Sequence, residues 1–190
     1  SVSASATLTG VSGYSKAFAT FCAPQNFTVK GATAYKSKVN GEQIELTAIE
    51  GVVPANTGVI IAGEDAADYT VTYVSDEATA VTDNDLKGVT VRTLTSTLAG
   101  SSTLLALNTS DAEFQEYTGT YFPANKAYLL VSANAARQLA LSFDDNNGAT
   151  AIKAINETDN RVAAKKYLKD GKLVIETAKG VYNMQGMNIK

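Results

Sequence analysis

The chain has 190 residues, 45% of them hydrophobic and 18% charged, which is the balance of a folded globular body rather than a disordered one. It carries no histidine, one cysteine and no tryptophan. Those counts exclude Ser-His-Asp and Cys-His catalysis, histidine-ligated zinc, an internal disulfide and the largest aromatic stacking platform, and a net charge of −3 disfavours a nucleic-acid surface.

In chain order the dominant signal is period two. Val2, Ala4, Ala6 and Leu8 alternate with serines and threonines, the pattern of a half-buried strand. The same opening lacks a basic segment and an apolar core, so it is not an intact signal peptide, and residue 1 reads as a processed or trimmed end. Residues 18–22 form a second strand that Pro24 ends, and 26–29 start a third. Cys22 has no cationic neighbour in sequence and reads as a small buried apolar residue, not a nucleophile. Residues 32–49 read as a hairpin about Asn40-Gly41, a pair that accepts the positive φ of a two-residue turn.

Val59, Ile60 and Ile61 suggest a central strand. Residues 69–74 alternate again, and 89–94 and 103–107 are further strands. The one helical fragment is expected at 133–137. The polar stretch 151–166 reads as a connector. It leads to a second hairpin, 167–175, turning at Asp170-Gly171, and to a last strand at 181–184. No apolar run approaches the roughly 18 residues of a membrane-spanning helix.

Two segments match. Val53-Pro54-Ala55-Asn56 resembles Phe122-Pro123-Ala124-Asn125, and the match extends outward to Asn40 with Asn108, Leu46 with Phe114, and Gly51 with Gly119. Downstream, 69–74 corresponds loosely to 139–143. Residues 34–74 and 102–143 are therefore two copies of one hairpin–Pro-Ala-Asn–hairpin unit. The expected fold is all-β: an antiparallel β-sandwich or barrel built from two similar hairpin units, with a C-terminal β-hairpin. The expected division is a duplicated domain over 1–150 and a connector with the C-terminal segment over 151–190. Proline suits the entry to a strand, and asparagine can hold a turn through its own backbone, so Asn56 and Asn125 read as turn residues before they read as ligand contacts.

The motifs Phe18-Ala-Thr-Phe-Cys-Ala-Pro24, Val53-Pro-Ala-Asn-Thr-Gly-Val-Ile-Ile61 and Phe122-Pro-Ala-Asn-Lys-Ala-Tyr-Leu-Leu130 resemble a β-rich module of secreted and cell-surface proteins of Bacteroidetes-type bacteria. The run Leu141-Ser-Phe-Asp-Asp145 is similar to the end of that module, and Lys172-Leu-Val-Ile175 with Gly180-Val-Tyr-Asn-Met-Gln-Gly186 to its short C-terminal β segment. The resemblance implies export, an extracellular or cell-surface location, and no enzymatic activity.

Carboxylates come in clusters: Glu64/Asp65, Asp76/Glu77, Asp83/Asp85 and Asp144/Asp145. Neighbours on a strand point to opposite faces, so adjacency does not build a two-carboxylate cleft. Asp144, Asp145 and Asn147 are the calcium candidates, but the loop has no glutamate at the last EF-hand ligand position, and a polar turn accounts for it. Tyr69 and Tyr73 share one strand face and are the candidate sugar contacts. No cofactor is implied. Two functions are expected. One is a non-enzymatic structural or adhesive surface protein, a fibre subunit assembling through the terminal strand of Val2, Ala4, Ala6 and Leu8, with itself or another surface protein as partner. The alternative is a carbohydrate-binding module with a glycan partner.

Overall fold

The computed structural model describes residues 2–11, 14–135, 138–143, 165–169, 172–177 and 180–183. The chain divides into two compact units, residues 1–153 and 154–190. The class is all-β, as the alternation predicts.

In the first unit the strands are β1 (Ser3–Thr7), β2 (Thr9–Gly10), β3 (Ala17–Phe21), β4 (Phe27–Val29), β5 (Ala32–Asn40), β6 (Gln43–Ala48), β7 (Val59–Gly63) and β8 (Asp68–Tyr73). They continue with β9 (Lys87–Val89), β10 (Thr93–Leu94), the helix α1 (Thr95–Ala99), β11 (Thr103–Asn108), β12 (Glu113–Glu116), β13 (Tyr121–Phe122), β14 (Lys126–Val131) and β15 (Gln138–Phe143). Ten of them form one sheet in the order β2-β3-β7-β5-β6-β15-β12-β11-β14-β9. All its pairings are antiparallel except β15 with β6, which is parallel.

This order displays the duplication. The triplet β7-β5-β6 and the triplet β14-β11-β12 flank β15 as mirror-ordered equivalents. The likeness reaches further than the sequence suggests. Phe27 of β4 bridges Val53, just before the first Pro-Ala-Asn, and Thr93 of β10 pairs with Phe122, just before the second. β3 pairs with β7 as β9 pairs with β14. The copies diverge at their last strands: β8 leaves the large sheet to pair with β1 and β4, whereas β15 enters it and joins the two halves.

The sheet curls until its ends meet, and Cys22 N–H donates to the Asn125 carbonyl at 3.3 Å across the closure. Alternate residues then face two different interiors. Phe18, Tyr35, Ile44, Leu46, Ile60, Leu105, Phe114, Leu129, Leu139 and Leu141 fill the inside of the curl. Ala19, Phe21, Ala34, Val59 and Ile61 face outward and are covered by Ala6, Phe27 and Val71 from the small sheet β1-β8-β4 and by Leu8 just after β1. In the second copy, Leu104 and Tyr128 face outward and are covered by Phe122, Leu98 and Ala99 from the segments of β13 and α1. Burial on both faces explains why β7 reads as a continuous apolar run, Val-Ile-Ile-Ala-Gly, with every residue buried.

Three local expectations are corrected. The helix lies at Thr95–Ala99, not at 133–137; Ala135 N–H bonds the Ser132 carbonyl in a turn, and residues 136 and 137 lie outside the described residues. The strand expected at 89–94 breaks into β9 and β10, which pair with different strands. In the first hairpin the pair Asn40↔Gln43 leaves Gly41-Glu42 as the turn, one residue later than expected. Gly41 has φ +62° and Glu42 has no positive φ, the signature of a type II′ turn with glycine first.

In the second unit β16 (Lys165–Lys169), β17 (Lys172–Thr177) and β18 (Gly180–Asn183) form a three-stranded antiparallel sheet in that order. Lys169 pairs with Lys172, which spaces β16 and β17 for a two-residue connection; its residues, 170 and 171, lie outside the described residues.

Candidate functional site

The residues offered by the sequence for chemistry are for the most part engaged with backbone. Asn56 and Asn125 hold φ of 57° and 56°, the same left-handed conformation in both copies of the Pro-Ala-Asn turn. Asn56 N–H donates to the Ala23 carbonyl at 2.7 Å, and Asn125 Nδ2 donates to the Cys22 carbonyl at 3.0 Å. The two turns therefore grip the same short segment after β3, one from each copy. Asn26 accepts from Ala55 N–H at 2.8 Å and donates to the Asp76 carbonyl at 2.9 Å.

Asn84 and Asp85 have a role that sequence reasoning missed. β5 is paired with β7 only as far as Tyr35, so its far end presents open backbone groups. Asn84 Oδ1 accepts from Ser37 N–H at 3.0 Å, Asp85 N–H donates to the Ser37 carbonyl at 2.8 Å, and Asp85 Oδ2 accepts from Val39 N–H at 2.8 Å. The segment thus replaces a missing neighbour strand with side chains. Nothing in the local sequence signals this, because the partner lies more than forty positions away.

Glu64, Asp65, Asp76 and Glu77 are exposed. Glu64 pairs with Lys16, and the backbone of Asp65 bonds the Tyr69 hydroxyl. Among the described residues no group of His, Cys, Asp and Glu is arranged to hold a metal ion. The calcium candidates Asp144, Asp145 and Asn147 lie outside the described residues.

Tyr69 and Tyr73 lie on the face of β8 that carries the buried Val71, and both are half-buried against the outer core cluster. The Tyr69 ring covers Gly31 and Gly63, where an added Cβ on Gly63 would lie 2.5 Å from the ring. These rings are packed into the covering layer and do not form an open strip.

Cys22 is fully buried, and burial pushes its thiol up to about 11. A thiol held protonated at neutral pH is a poor nucleophile. Its sulfur instead fills the point where the copies interlock, against Gly88 of β9 and beside Gly58, the residue before β7.

The N-terminal strand is docked on its own chain. β1 pairs with β8 from Ser3↔Thr72 to Thr7↔Asp68. Ala6 and Leu8 are buried, Ala4 is half-buried, and Val2 is exposed. β1 is an edge strand, with β8 as its one neighbour in a three-stranded sheet.

Beside it opens a cleft of about 430 Å³ between the N-terminal segment, the end of β3 and the start of β14. Thr7, Thr9, Thr20, Thr109, Tyr117 and Lys126 are its polar residues, and Ala106 and Phe122 are among its apolar lining. Lys126 is half-buried, and burial pushes its ammonium below the ordinary lysine range. Compared with known proteins, the chain matches no family model, no curated protein and no solved structure. Among the described residues no helix is long and apolar enough to cross a membrane.

Proposed function

We propose that the chain is a non-enzymatic structural or adhesive module of an extracellular or cell-surface protein, and that copies assemble by exchanging the N-terminal strand. The observation that supports this reading is the state of β1. Its five residues, Ser-Ala-Ser-Ala-Thr, carry no charge and no proline, the devices that ordinarily keep an edge strand from pairing with another chain. It is held by one neighbour, and its inward side chains are two alanines, followed by Leu8. The groove that receives these small side chains would accept the same strand from a second copy with identical contacts, so exchange costs little at equilibrium. The engagement of Asn26, Asn84, Asn125 and Asp85 with backbone supports the non-enzymatic part, and the motif resemblance supports the location.

Deleting residues 1–10 tests the assembly. The expected product is a folded monomer, by circular dichroism and light scattering, that forms no polymer and that captures a synthetic peptide of residues 1–10. Polymers that persist after the deletion rule the reading out.

A further inference from the structure

The cleft beside β1 is built around a cation that the turn does not require. The two Pro-Ala-Asn turns have the same asparagine conformation, yet the next residue is Thr57 in the first copy and Lys126 in the second. A threonine therefore suffices for the backbone, and the lysine is a departure specific to the second copy. Lys126 is half-buried, and among the described residues it forms no hydrogen bond and no ion pair through its ammonium. A partly desolvated cation without a counter-ion is destabilising, and an anion placed beside it relieves that cost.

Around the cation the cleft is lined by Thr9, Thr20 and Thr109, which carry hydroxyls, and by the half-buried Ala106 and Tyr117, which carry apolar surface. Hydroxyls suit a polyol, which both donates and accepts. An apolar wall suits the C–H face of a ring, and one ammonium suits one carboxylate. A volume of about 430 Å³ holds one or two sugar rings but not a folded partner.

We propose that this cleft binds an acidic sugar residue, with its carboxylate on Lys126 and its hydroxyls on the threonines. Thr7 and Thr9 of the N-terminal segment line this cleft, and strand exchange would supply the same residues from a second copy, so the cleft is complete whether or not the strand is exchanged.

The test is an amide NMR titration of the full chain with glucuronate, with glucose and acetate as separate arms. Glucuronate is expected to saturate and to shift the amides of Thr20, Thr109 and Lys126. Glucose and acetate should each bind roughly ten-fold more weakly or less, since each lacks one half of the recognition. Lys126→Thr, which restores the residue of the first copy, should weaken glucuronate by roughly ten-fold with the thermal midpoint unchanged. Lys126→Met keeps the aliphatic stem and should give the same loss if the threonine variant folds poorly. In the wild type, the pKa of the Lys126 ammonium, read by side-chain NMR, should rise on adding glucuronate. The proposal is overturned by the absence of saturable shifts at the cleft, by Lys126→Met binding as the wild type does, or by acetate binding as tightly as glucuronate.

Discussion

Replacing Gly88 by alanine probes the closure of the curled sheet directly. A Cβ on Gly88 would lie 2.3 Å from Cys22 Sγ, 2.7 Å from Cys22 Cβ and 3.2 Å from Gly58 Cα. Carbon and sulfur in a packed interior rest at about 3.5 Å or more, so the overlap exceeds roughly 1 Å. Cys22 is fully buried and the Gly58 contact is backbone, so no flexible side-chain end can yield. Overpacking of this kind costs about 3 kcal/mol. Combining Gly88→Ala with Cys22→Ala removes the sulfur overlap but keeps the one at Cβ, so the double variant should recover about 1 kcal/mol or more relative to additivity. Urea unfolding midpoints at constant slope measure all three variants. A loss below about 1 kcal/mol for Gly88→Ala, or strict additivity with Cys22→Ala, would refute the interlock as described.

The turn asparagines should separate in the same assay. Asn56→Gly is expected to change stability by no more than about 0.5 kcal/mol, because glycine accepts the positive φ. Asn125→Gly should cost about 1 kcal/mol more, since it also removes the bond to the Cys22 carbonyl. Equal effects would show that the side-chain bond contributes nothing. Ser37 is buried at 1% exposure, and among the described residues its hydroxyl has no hydrogen-bond partner. Ser37→Ala should therefore raise stability by about 1 kcal/mol, and a loss would reveal a partner for that oxygen. The thiol predicts a pH effect. Its folded pKa is raised from 9.0 to about 11, so the folded state retains the proton that the unfolded state releases. The stability it contributes is complete below pH 9 and is lost as pH rises through about 11. Comparison of wild type with Cys22→Ala across that window isolates it, and parallel curves would count against the burial of the thiol.

Period-two alternation revealed β1, β5, β6 and β8, because each has one face on a core and one nearer to solvent. The paired Pro-Ala-Asn motifs revealed the duplication, because positive φ at Asn56 and Asn125 is a local demand met by a local residue. What escaped is what depends on distant partners. The parallel pairing of β15 with β6 and the departure of β8 from the large sheet are decided by which edge remains open, and the alternation in both strands is silent on it. Helix α1 escaped because five residues, Thr-Ser-Thr-Leu-Ala, make little more than one turn and have no side-chain cap. Tyr69 and Tyr73 share one face of β8 as the alternation predicts, yet that face meets the covering core. Lys126 is one of several positions at which the two motifs differ, and its difference from Thr57 gains meaning only beside the cleft.

Locking β1 in place tests the assembly account most directly. The bonds from Tyr73 N–H to the Val2 carbonyl and from Leu8 N–H to the Ala67 carbonyl fix the register, and they make Ser5↔Thr70 a pair of the non-hydrogen-bonded kind. Such pairs bring Cα atoms to about 4.5 Å, within reach of a disulfide, and both residues are exposed. Light scattering and electron microscopy of Ser5→Cys/Thr70→Cys should find monomers when it is oxidised and fibres once it is reduced, with the wild type forming fibres throughout. Fibres from the oxidised protein, or none from the reduced one, would contradict strand exchange.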